Sequence, residues 1–258
     1  MDADRRFGGL DRLYGVSGAQ LIKTAHVAIV GLGGVGSWAA EALARSGVGK
    51  LTLIDLDHVA ESNINRQVHA LETTLGQAKV QAMRERIAQI NPNCAVQCVE
   101  EFVTPENWPQ VLPMGVDAVV DACDQVKAKT AMAAWARNTR SLFISVGAAG
   151  GKRHAHKVDI DDLVCVTHDP LLAQLRYRLR KEHGAPREGK RMGVHCVYSR
   201  EAVSPPDASC RVEGDGSLNC HGYGSVVSVT ATFGLCAAGW VVEQISQAKR
   251  QGSQKNTL

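Results

Sequence analysis

The stretch that most constrains this chain is a short apolar run leading into closely spaced glycines. Residues 27–30 read Val-Ala-Ile-Val, residues 31–36 read Gly-Leu-Gly-Gly-Val-Gly, and residues 37–44 have the composition of a helix. A β-branched apolar run predicts a buried strand, and glycines let the chain turn tightly and approach a ligand closely. The helix start that follows presents free N–H groups to an anion. Together they are typical of the nucleotide-binding unit of a Rossmann-type fold.

The rest of the first 150 residues alternates apolar strand patterns with helical ones, which predicts a parallel sheet covered by helices on both faces. After residues 147–151 the pattern changes, and the strands expected at 157–166 and 194–199 need not be parallel. The fold class predicted is therefore α/β: a Rossmann-like, doubly wound, mainly parallel sheet with an antiparallel C-terminal extension. The earlier strands are predicted at 26–30, 50–55, 95–100, 118–123 and 141–146, and the helices between them at 37–45, 75–90, 105–112 and 126–138.

Composition excludes several classes of protein. The chain has 258 residues, 45% hydrophobic and 21% charged, with a formal net charge of +3, as in ordinary globular proteins. Its eight cysteines form no C-x-x-C pair, which argues against a zinc site. The charged N-terminal residues do not have the apolar core of a signal peptide, so we expect a reduced, cytoplasmic protein. Residues 224–245 are almost uncharged but rich in small residues, which favours a helix packed on the sheet or a dimer partner over stable membrane insertion.

Polar side chains follow the predicted strands where a ligand would lie. Asp55 ends the second strand, where a carboxylate can accept hydrogen bonds from both ribose hydroxyls of a nucleotide. Arg66 and Lys79 supply two cations for a phosphate chain, and Asp124 supplies a hard oxygen ligand for Mg²⁺. This set favours cleavage of a triphosphate over hydride transfer. An NAD-dependent oxidoreductase and a non-catalytic nucleotide-binding scaffold remain alternatives.

Six motifs extend this pattern into a resemblance that covers residues 6 to about 150: Gly-Leu-Gly-Gly-Val-Gly-Ser, Leu-Thr-Leu-Ile-Asp-Leu-Asp, Ser-Asn-Ile-Asn-Arg-Gln, Gly-Gln-Ala-Lys, Ile-Asn-Pro and Asp-Ala-Cys-Asp. On these motifs the chain resembles the adenylating enzymes of the ubiquitin-activating (ThiF/MoeB) superfamily. The resemblance implies that a substrate carboxylate attacks the α-phosphate of ATP, giving an acyl-adenylate and pyrophosphate. The cofactor-binding candidates are Gly31, Gly33, Gly34, Gly36, Asp55, Asp57, Asn63, Arg66, Gln67, Lys79 and Asp124, with Arg66, Lys79 and Asp124 also catalytic and Asp124 on Mg²⁺.

The resemblance also implies a homodimer. Members of the superfamily carry an arginine near the N-terminus that reaches the partner subunit's ATP, within Arg-Tyr-x-Arg-Gln. Here residues 6–15 read Arg-Phe-Gly-Gly-Leu-Asp-Arg-Leu-Tyr-Gly, so a glycine replaces the second arginine of the motif. The candidates for this role are therefore Arg12 and Arg6. We predict that Arg12 is the catalytic residue.

A narrower similarity spans nearly the whole chain. Its residues include the start at 6–15, Asp-Pro-Leu-Leu-Ala at 169–173, Cys-Val-Tyr-Ser at 196–199 and Val-Thr-Ala-Thr-Phe-Gly at 229–234. In these the chain is similar to the tRNA threonylcarbamoyladenosine dehydratases. That similarity implies ATP-dependent, AMP-forming cyclisation of the modified adenosine beside the anticodon. It assigns ATP binding and adenylation to residues 1–150, and substrate binding and dimer packing to residues 151–258 of the same domain.

Other activities and partners stay open beside this one. An activator of a ubiquitin-like sulfur carrier is the alternative within the superfamily, although such enzymes usually hold zinc between two C-x-x-C pairs, which are lacking here. The resemblance allows a monovalent cation as a further cofactor and a sulfur-transfer protein as a further partner.

Basic residues cluster in the C-terminal half. A run of cations is usually a solvated helix face, but a tRNA substrate would bind such a cluster through its phosphates. The nucleic-acid-binding candidates are Arg176, Arg178, Arg180, Lys181, Arg187, Lys190 and Arg191, extended by Lys152, Arg153, His154, His156 and Lys157.

Cysteine chemistry is the last question that the sequence raises. Cys220, in Leu-Asn-Cys-His-Gly, is the candidate nucleophile, with Cys196 and Cys210 weaker candidates. Because ring closure is intramolecular, we expect no covalent intermediate. Cys220→Ser should therefore retain turnover, and loss of turnover with ATP binding intact would contradict this expectation.

Overall fold

The fold is one seven-stranded sheet with helices on both faces. The structure, a computed structural model, describes residues 3–187, 189–207, 209 and 223–248. Its strands are β1 His26–Val30, β2 Lys50–Ile54, β3 Ala95–Val99, β4 Ala118–Asp121, β5 Leu142–Val146, β6 Val158–Asp162 and β7 His195–Ser199. Its α-helices are α1 Ala3–Thr24, α2 Gly36–Arg45, α3 Lys79–Ile90, α4 Val126–Thr139, α5 Pro170–Glu182 and α6 Val227–Gln247, with short 3₁₀ turns at Glu61–Asn63, Glu72–Thr74 and Ala155–Lys157.

The strand order is β3-β2-β1-β4-β5-β7-β6, and every neighbouring pair is parallel except β6 with β7. The predicted α/β class with an antiparallel extension is therefore confirmed. All five residues of β1 are buried, because helices cover both faces of the central strands. The carboxyl ends of the parallel strands meet at one edge of the sheet, with β1 between β2 and β4.

Helix α6 belongs to the core. Phe233 and Val241 are fully buried, and a Cβ on Gly234 would lie 2.4 Å from the main-chain oxygen of Val35. Small residues thus allow α6 to pack closely on α2, which confirms the expected packed helix. In the part of the chain that the structure describes, no helix is long and apolar enough to span a membrane.

Local corrections to the predicted elements have backbone causes. The helix predicted at 105–112 is a series of turns, since Pro105 and Pro109 lack the N–H groups that a helix interior needs. The helix predicted from residue 75 begins at Lys79, because Gly76 has a φ of 81° and Ala78 forms a β-bridge with His58. The amphipathic stretch at 10–22 lies within α1, which kinks at Gly15.

Candidate functional site

A cleft of about 370 Å³ opens at the carboxyl ends of β1, β2, β4 and β5. Parallel α/β sheets place ligands at this edge, where the strand order reverses about β1 and β4. The topology brings together ten of the eleven cofactor-binding residues predicted from the sequence, and the eleventh, Gly36, packs against Gly31 of that lining. The ten are Gly31, Gly33, Gly34, Asp55, Asp57, Asn63, Arg66, Gln67, Lys79 and Asp124.

The glycine loop, residues 31–36, leaves no room for a side chain at two of its positions. Gly31 has a φ of 87°, and a Cβ there would lie 2.9 Å from the main-chain oxygen of Ala122. A Cβ on Gly36 would lie 1.8 Å from the main-chain oxygen of Gly31. A Cβ on Gly33, in contrast, would contact nothing in the described protein within 4 Å. Gly31 and Gly36 are therefore required by the fold, whereas Gly33 leaves open space at the cleft.

Asp55 is held in a fixed orientation at the end of β2. Its Oδ2 accepts a hydrogen bond from the N–H of Leu32 at 2.6 Å, and its Oδ1 accepts one from the N–H of Asp57 at 2.9 Å. The side chain is buried, and this burial raises the pKa of the Asp55 carboxyl, against the opposing effect of Lys79. Each oxygen still has accepting capacity for a hydroxyl in the cleft.

Lys79 is a buried cation at the first residue of α3. Its Nζ lies 2.8 Å from Oδ2 of Asp57, and its side chain is 7% exposed while that of Asp57 is 52% exposed. The partly solvated carboxylate compensates a buried ammonium group. A phosphate entering the cleft would provide Lys79 with a second anionic partner.

The segment after β2 positions three more polar groups. The guanidinium of Arg66 donates to the main-chain oxygen of Ser62 at 2.8 Å, and Trp38 Nε1 donates to the main-chain oxygen of Arg66 at 2.9 Å. Oδ1 of Asn63 accepts from the N–H of Ala60, which leaves its amide NH₂ for the cleft. Gln67 lines the cleft, and its buried Oε1 has no hydrogen-bond partner among the described residues, so it is available to a ligand.

Asp124 brings a solvent-exposed carboxylate to the same cleft from the loop after β4. Within the described ranges, no cluster of three or more His, Cys, Asp or Glu side chains has the arrangement to hold a metal ion. Mg²⁺ commonly binds through one or two carboxylates together with substrate phosphates and water, so a single carboxylate beside a phosphate site fits this ion.

His69 is a buried titratable residue that the sequence reasoning missed. It is 1% exposed, and neither ring nitrogen has a hydrogen-bond partner in the described part of the chain. Burial, reinforced by the charges of Lys79 and Arg86, lowers the pKa of His69 to about 4. The sequence carries no signal for this, because an isolated histidine after Arg-Gln-Val gives no indication of its depth.

This histidine predicts an acid-sensitive stability. In the unfolded state His69 takes up a proton near pH 6.5, but in the folded state only near pH 4. The free energy of unfolding is therefore unaffected by His69 above pH 6.5, and it falls as the pH is lowered to 4. The loss amounts to about 3 kcal/mol of unfolding free energy. Urea unfolding measured above pH 6.5 and at pH 4 should show a smaller loss of unfolding free energy in His69→Phe than in the unmodified protein. His156→Phe, at an exposed position, should lose as much as the unmodified protein, and equal losses in all three would contradict the assignment.

The basic cluster divides into structural and exposed cations. The guanidinium of Arg176 donates to the main-chain oxygens of Leu163 and Val166, and Nε of Arg180 donates to that of Pro186. Lys152 is 2% exposed, so it does not extend the surface cluster. Arg178 pairs with Glu182 at 3.3 Å. The exposed members are Arg153, His154, His156, Lys157, Lys181, Arg187, Lys190 and Arg191.

Buried Lys152 instead has a structural role. Its Nζ donates to the main-chain oxygens of His168 at 3.1 Å and Glu201 at 2.8 Å. The Glu201 carboxylate in turn accepts from the N–H groups of Arg153 and His154. These bonds join the segment before β6 to the segment after β7.

The remaining candidates lie away from the cleft or outside the described residues. Arg12 is exposed on α1, and Arg6 donates to the main-chain oxygen of Ile90 at 2.6 Å. Cys196 is fully buried, and burial raises the pKa of its thiol far above the ordinary value, which makes it a poor nucleophile. Cys210 and Cys220 are outside the described residues.

Sequence reasoning also missed part of the cleft wall. Phe102, after β3, and Ala148, after β5, line the cleft together with Leu171 and Thr230. For Phe102 and Ala148 the signal is topological, since residues following parallel strands reach the same edge of the sheet. Nothing in the residue types distinguishes them from ordinary loop and helix positions.

The chain is similar in sequence and in structure to proteins of known family. The model of the ThiF family matches residues 9–258. The chain is 44% identical to the tRNA threonylcarbamoyladenosine dehydratase of Escherichia coli K12, covering 96% of each chain, and 42% identical to that of Bacillus subtilis, covering 76% and 75%. The crystal structure of the Escherichia coli enzyme in complex with ATP superposes with a TM-score of 0.88 at 43% identity, over 98% of this chain and 99% of that one.

Proposed function

This chain belongs to the ThiF family, and we propose that it is an ATP-dependent enzyme that cyclises threonylcarbamoyladenosine in tRNA with net loss of water. The observation that carries the proposal is the convergence of Asp55, Arg66, Lys79 and Asp124 on one cleft. That cleft lies in a chain 44% identical to a dehydratase of this name over 96% of its length.

The first step is adenylation of the substrate. An oxygen of the free carboxylate of the modified nucleoside attacks the α-phosphorus of ATP, and pyrophosphate leaves. Negative charge grows on the phosphate oxygens as this happens, so cations placed in advance stabilise the transition state. Arg66 and Lys79 supply these charges, while Asp55 holds the ribose and the glycine loop holds the phosphates.

Magnesium fits the same site. Asp124 would hold the ion against the phosphates, and the ion supplies charge neutralisation when it is bound. Asp57, which is half-exposed beside Lys79, is a further carboxylate that lines the cleft.

The second step is ring closure. The carbamoyl group of the same side chain attacks the activated carboxyl carbon, and the C–O bond to AMP breaks. The proton lost by the carbamoyl group passes to solvent or phosphate. AMP is a far better leaving group than hydroxide, and the tethered nucleophile has a high effective concentration. An enzyme nucleophile is therefore not required.

The C-terminal half would supply the contacts to tRNA, as residues 151–258 of the same domain. Exposed cations follow α5 and continue into residues 187–191, and counterion release gives such a surface its affinity for a phosphate backbone. A tRNA substrate would place the reaction in the cytoplasm. A homodimer, with Arg12 of one subunit reaching the ATP of the other, completes the proposal.

Charge reversal tests the tRNA surface. Lys181→Glu and Arg187→Glu should each weaken tRNA binding about tenfold at physiological salt and leave ATP affinity unchanged. The matched control is Arg84→Glu, an equal charge change at an exposed position of α3. Fluorescence anisotropy with labelled tRNA measures the effect, and an equal loss in all three variants would show general repulsion rather than a local contact.

Incubation with ATP and threonylcarbamoyladenosine-bearing tRNA tests the whole function. We expect AMP in equal amount to a nucleoside lighter by one water. A parallel reaction with a ubiquitin-like sulfur carrier should give no AMP above background. If AMP formed only with the carrier protein, the chain would be an activator of a sulfur carrier instead. If it transferred hydride to or from NAD and formed no AMP, it would be an oxidoreductase.

A further inference from the structure

A buried ion pair lies beneath the cleft, between the end of β4 and the first turn of α4. Asp121 and Lys129 are both 0% exposed, and Nζ of Lys129 lies 3.0 Å from Oδ2 of Asp121. The hydroxyl of Ser145, on β5, donates to the same oxygen at 2.7 Å. A buried pair of this kind gives little net stability over well-packed apolar side chains, so stability alone does not account for it.

The pair fixes the orientation of the Asp121 carboxylate. Since Lys129 and Ser145 occupy Oδ2, Oδ1 is directed to the following loop, where it accepts from the N–H of Cys123 at 3.3 Å and from its thiol at 3.1 Å. Nζ of Lys129 also donates to the main-chain oxygen of Asp121 at 3.3 Å. Three elements, β4, β5 and α4, are therefore joined at this ammonium group.

Asp124 lies between a residue bonded to this network and the start of the helix that carries Lys129. Before it, Cys123 is bonded to Asp121, and after it, the main-chain oxygen of Gln125 accepts from the N–H of Lys129 at 3.0 Å. The buried pair thus holds the start of the loop at Cys123, and the helix that carries Lys129 begins directly after the loop ends at Gln125, while the Asp124 side chain itself is exposed in the cleft.

We propose that Lys129 is a positioning residue for the reaction: its pairing with Asp121 holds the loop that aims the Asp124 carboxylate at the metal–phosphate group. The inference rests on the proposed function, in which Asp124 holds Mg²⁺. A carboxylate displaced by a fraction of an ångström binds a small cation with strict octahedral geometry poorly. The pair would consequently set the affinity for Mg²⁺ and leave the glycine loop and the ribose contact unaffected.

The test separates metal affinity from nucleotide affinity. We would measure the dissociation constant of ATP by calorimetry with and without Mg²⁺, and the Mg²⁺ concentration that gives half-maximal AMP formation. In Lys129→Gln, ATP affinity without Mg²⁺ should stay within about threefold, and the half-maximal Mg²⁺ concentration should rise at least about tenfold, as for other supporting residues around metal ligands. Lys127→Gln, two residues away and exposed on the same helix, should behave as the unmodified protein.

A double-mutant cycle shows whether the effect passes through Asp124. If it does, Asp124→Asn combined with Lys129→Gln should shift the Mg²⁺ requirement no further than Asp124→Asn alone. Additive shifts would overturn the inference, as would a Lys129→Gln variant with a lower melting temperature but unchanged Mg²⁺ dependence. An Asp124→Asn variant with unchanged Mg²⁺ dependence would instead overturn the metal role of Asp124 in the proposed function, and this inference with it.

A second variant guards against simple unfolding. Removing one member of a buried pair leaves a lone charge that can unfold a protein. Asp121→Asn combined with Lys129→Gln has no lone charge, because two neutral side chains replace the ion pair. It should fold, bind ATP normally without Mg²⁺ and still require more Mg²⁺. A folded double variant with the original Mg²⁺ dependence would contradict a positioning role for the pair.

Discussion

Gly36→Ala is expected to abolish ATP binding, with an affinity at least about a hundredfold lower by calorimetry. The added Cβ would lie 1.8 Å from the main-chain oxygen of Gly31, so the glycine loop or the start of α2 must move. Both carry N–H groups that would face the phosphates in the proposed function. Backbone cannot yield as a flexible side chain can, because β1 and α2 are packed in the core.

Two other glycines provide the comparison. Gly8→Ala, where a Cβ contacts nothing in the described protein within 4 Å and no cleft is near, should leave ATP binding unchanged. Gly33→Ala also meets no protein atom, but the position lines the cleft, so it should keep the melting temperature and lose ATP affinity. ATP affinity in Gly36→Ala within about threefold of the original would contradict this account of the loop.

Arg66→Ala is expected to lower the rate of AMP formation about 10²–10³-fold, which corresponds to the loss of one preorganised charge at a transition state. The KM for ATP should change much less, because Asp55 and the glycine loop remain. Arg66→Lys should recover only part of the rate, since a point charge replaces a planar fork of donors.

The control for Arg66 is Arg84→Ala, on the exposed surface of α3. Its rate should match that of the unmodified enzyme. A rise in KM with an unchanged kcat in Arg66→Ala would mean that the guanidinium binds the ground state and the transition state equally, and does not lower the barrier of the bound complex. Pre-steady-state measurement of pyrophosphate release distinguishes the two outcomes at the adenylation step.

The sequence was informative about the cleft because parallel topology converts strand ends into spatial neighbours. Asp55 and Asp124 are 69 positions apart in the chain. Asp55 follows β2 and Asp124 follows β4, and both of these strands pair with β1. Alternating strand and helix patterns were enough to predict this edge. The glycine spacing added the anion site, and the tight contacts at Gly31 and Gly36 explain why the pattern is specific.

Depth of burial is what the sequence could not provide. Lys152 and Arg176 have the same residue types as the exposed cations near them, but their donors are used inside the protein by main-chain oxygens. His69 and Lys129 are likewise ordinary polar residues until the packing around them is known. The short helix predicted at 105–112 is also wrong, because the prolines at 105 and 109 lack the N–H donors of a helix interior.

Transfer of labelled oxygen tests the central claim most directly. In the proposed reaction, an oxygen of the substrate carboxylate attacks the α-phosphate of ATP, and ring closure then breaks the bond between that oxygen and the carboxyl carbon. With ¹⁸O in the carboxylate of threonylcarbamoyladenosine-bearing tRNA, each AMP formed should carry one labelled oxygen, seen by mass spectrometry. Unlabelled AMP beside a cyclised product, with the label released as water, would contradict adenylation of the carboxylate.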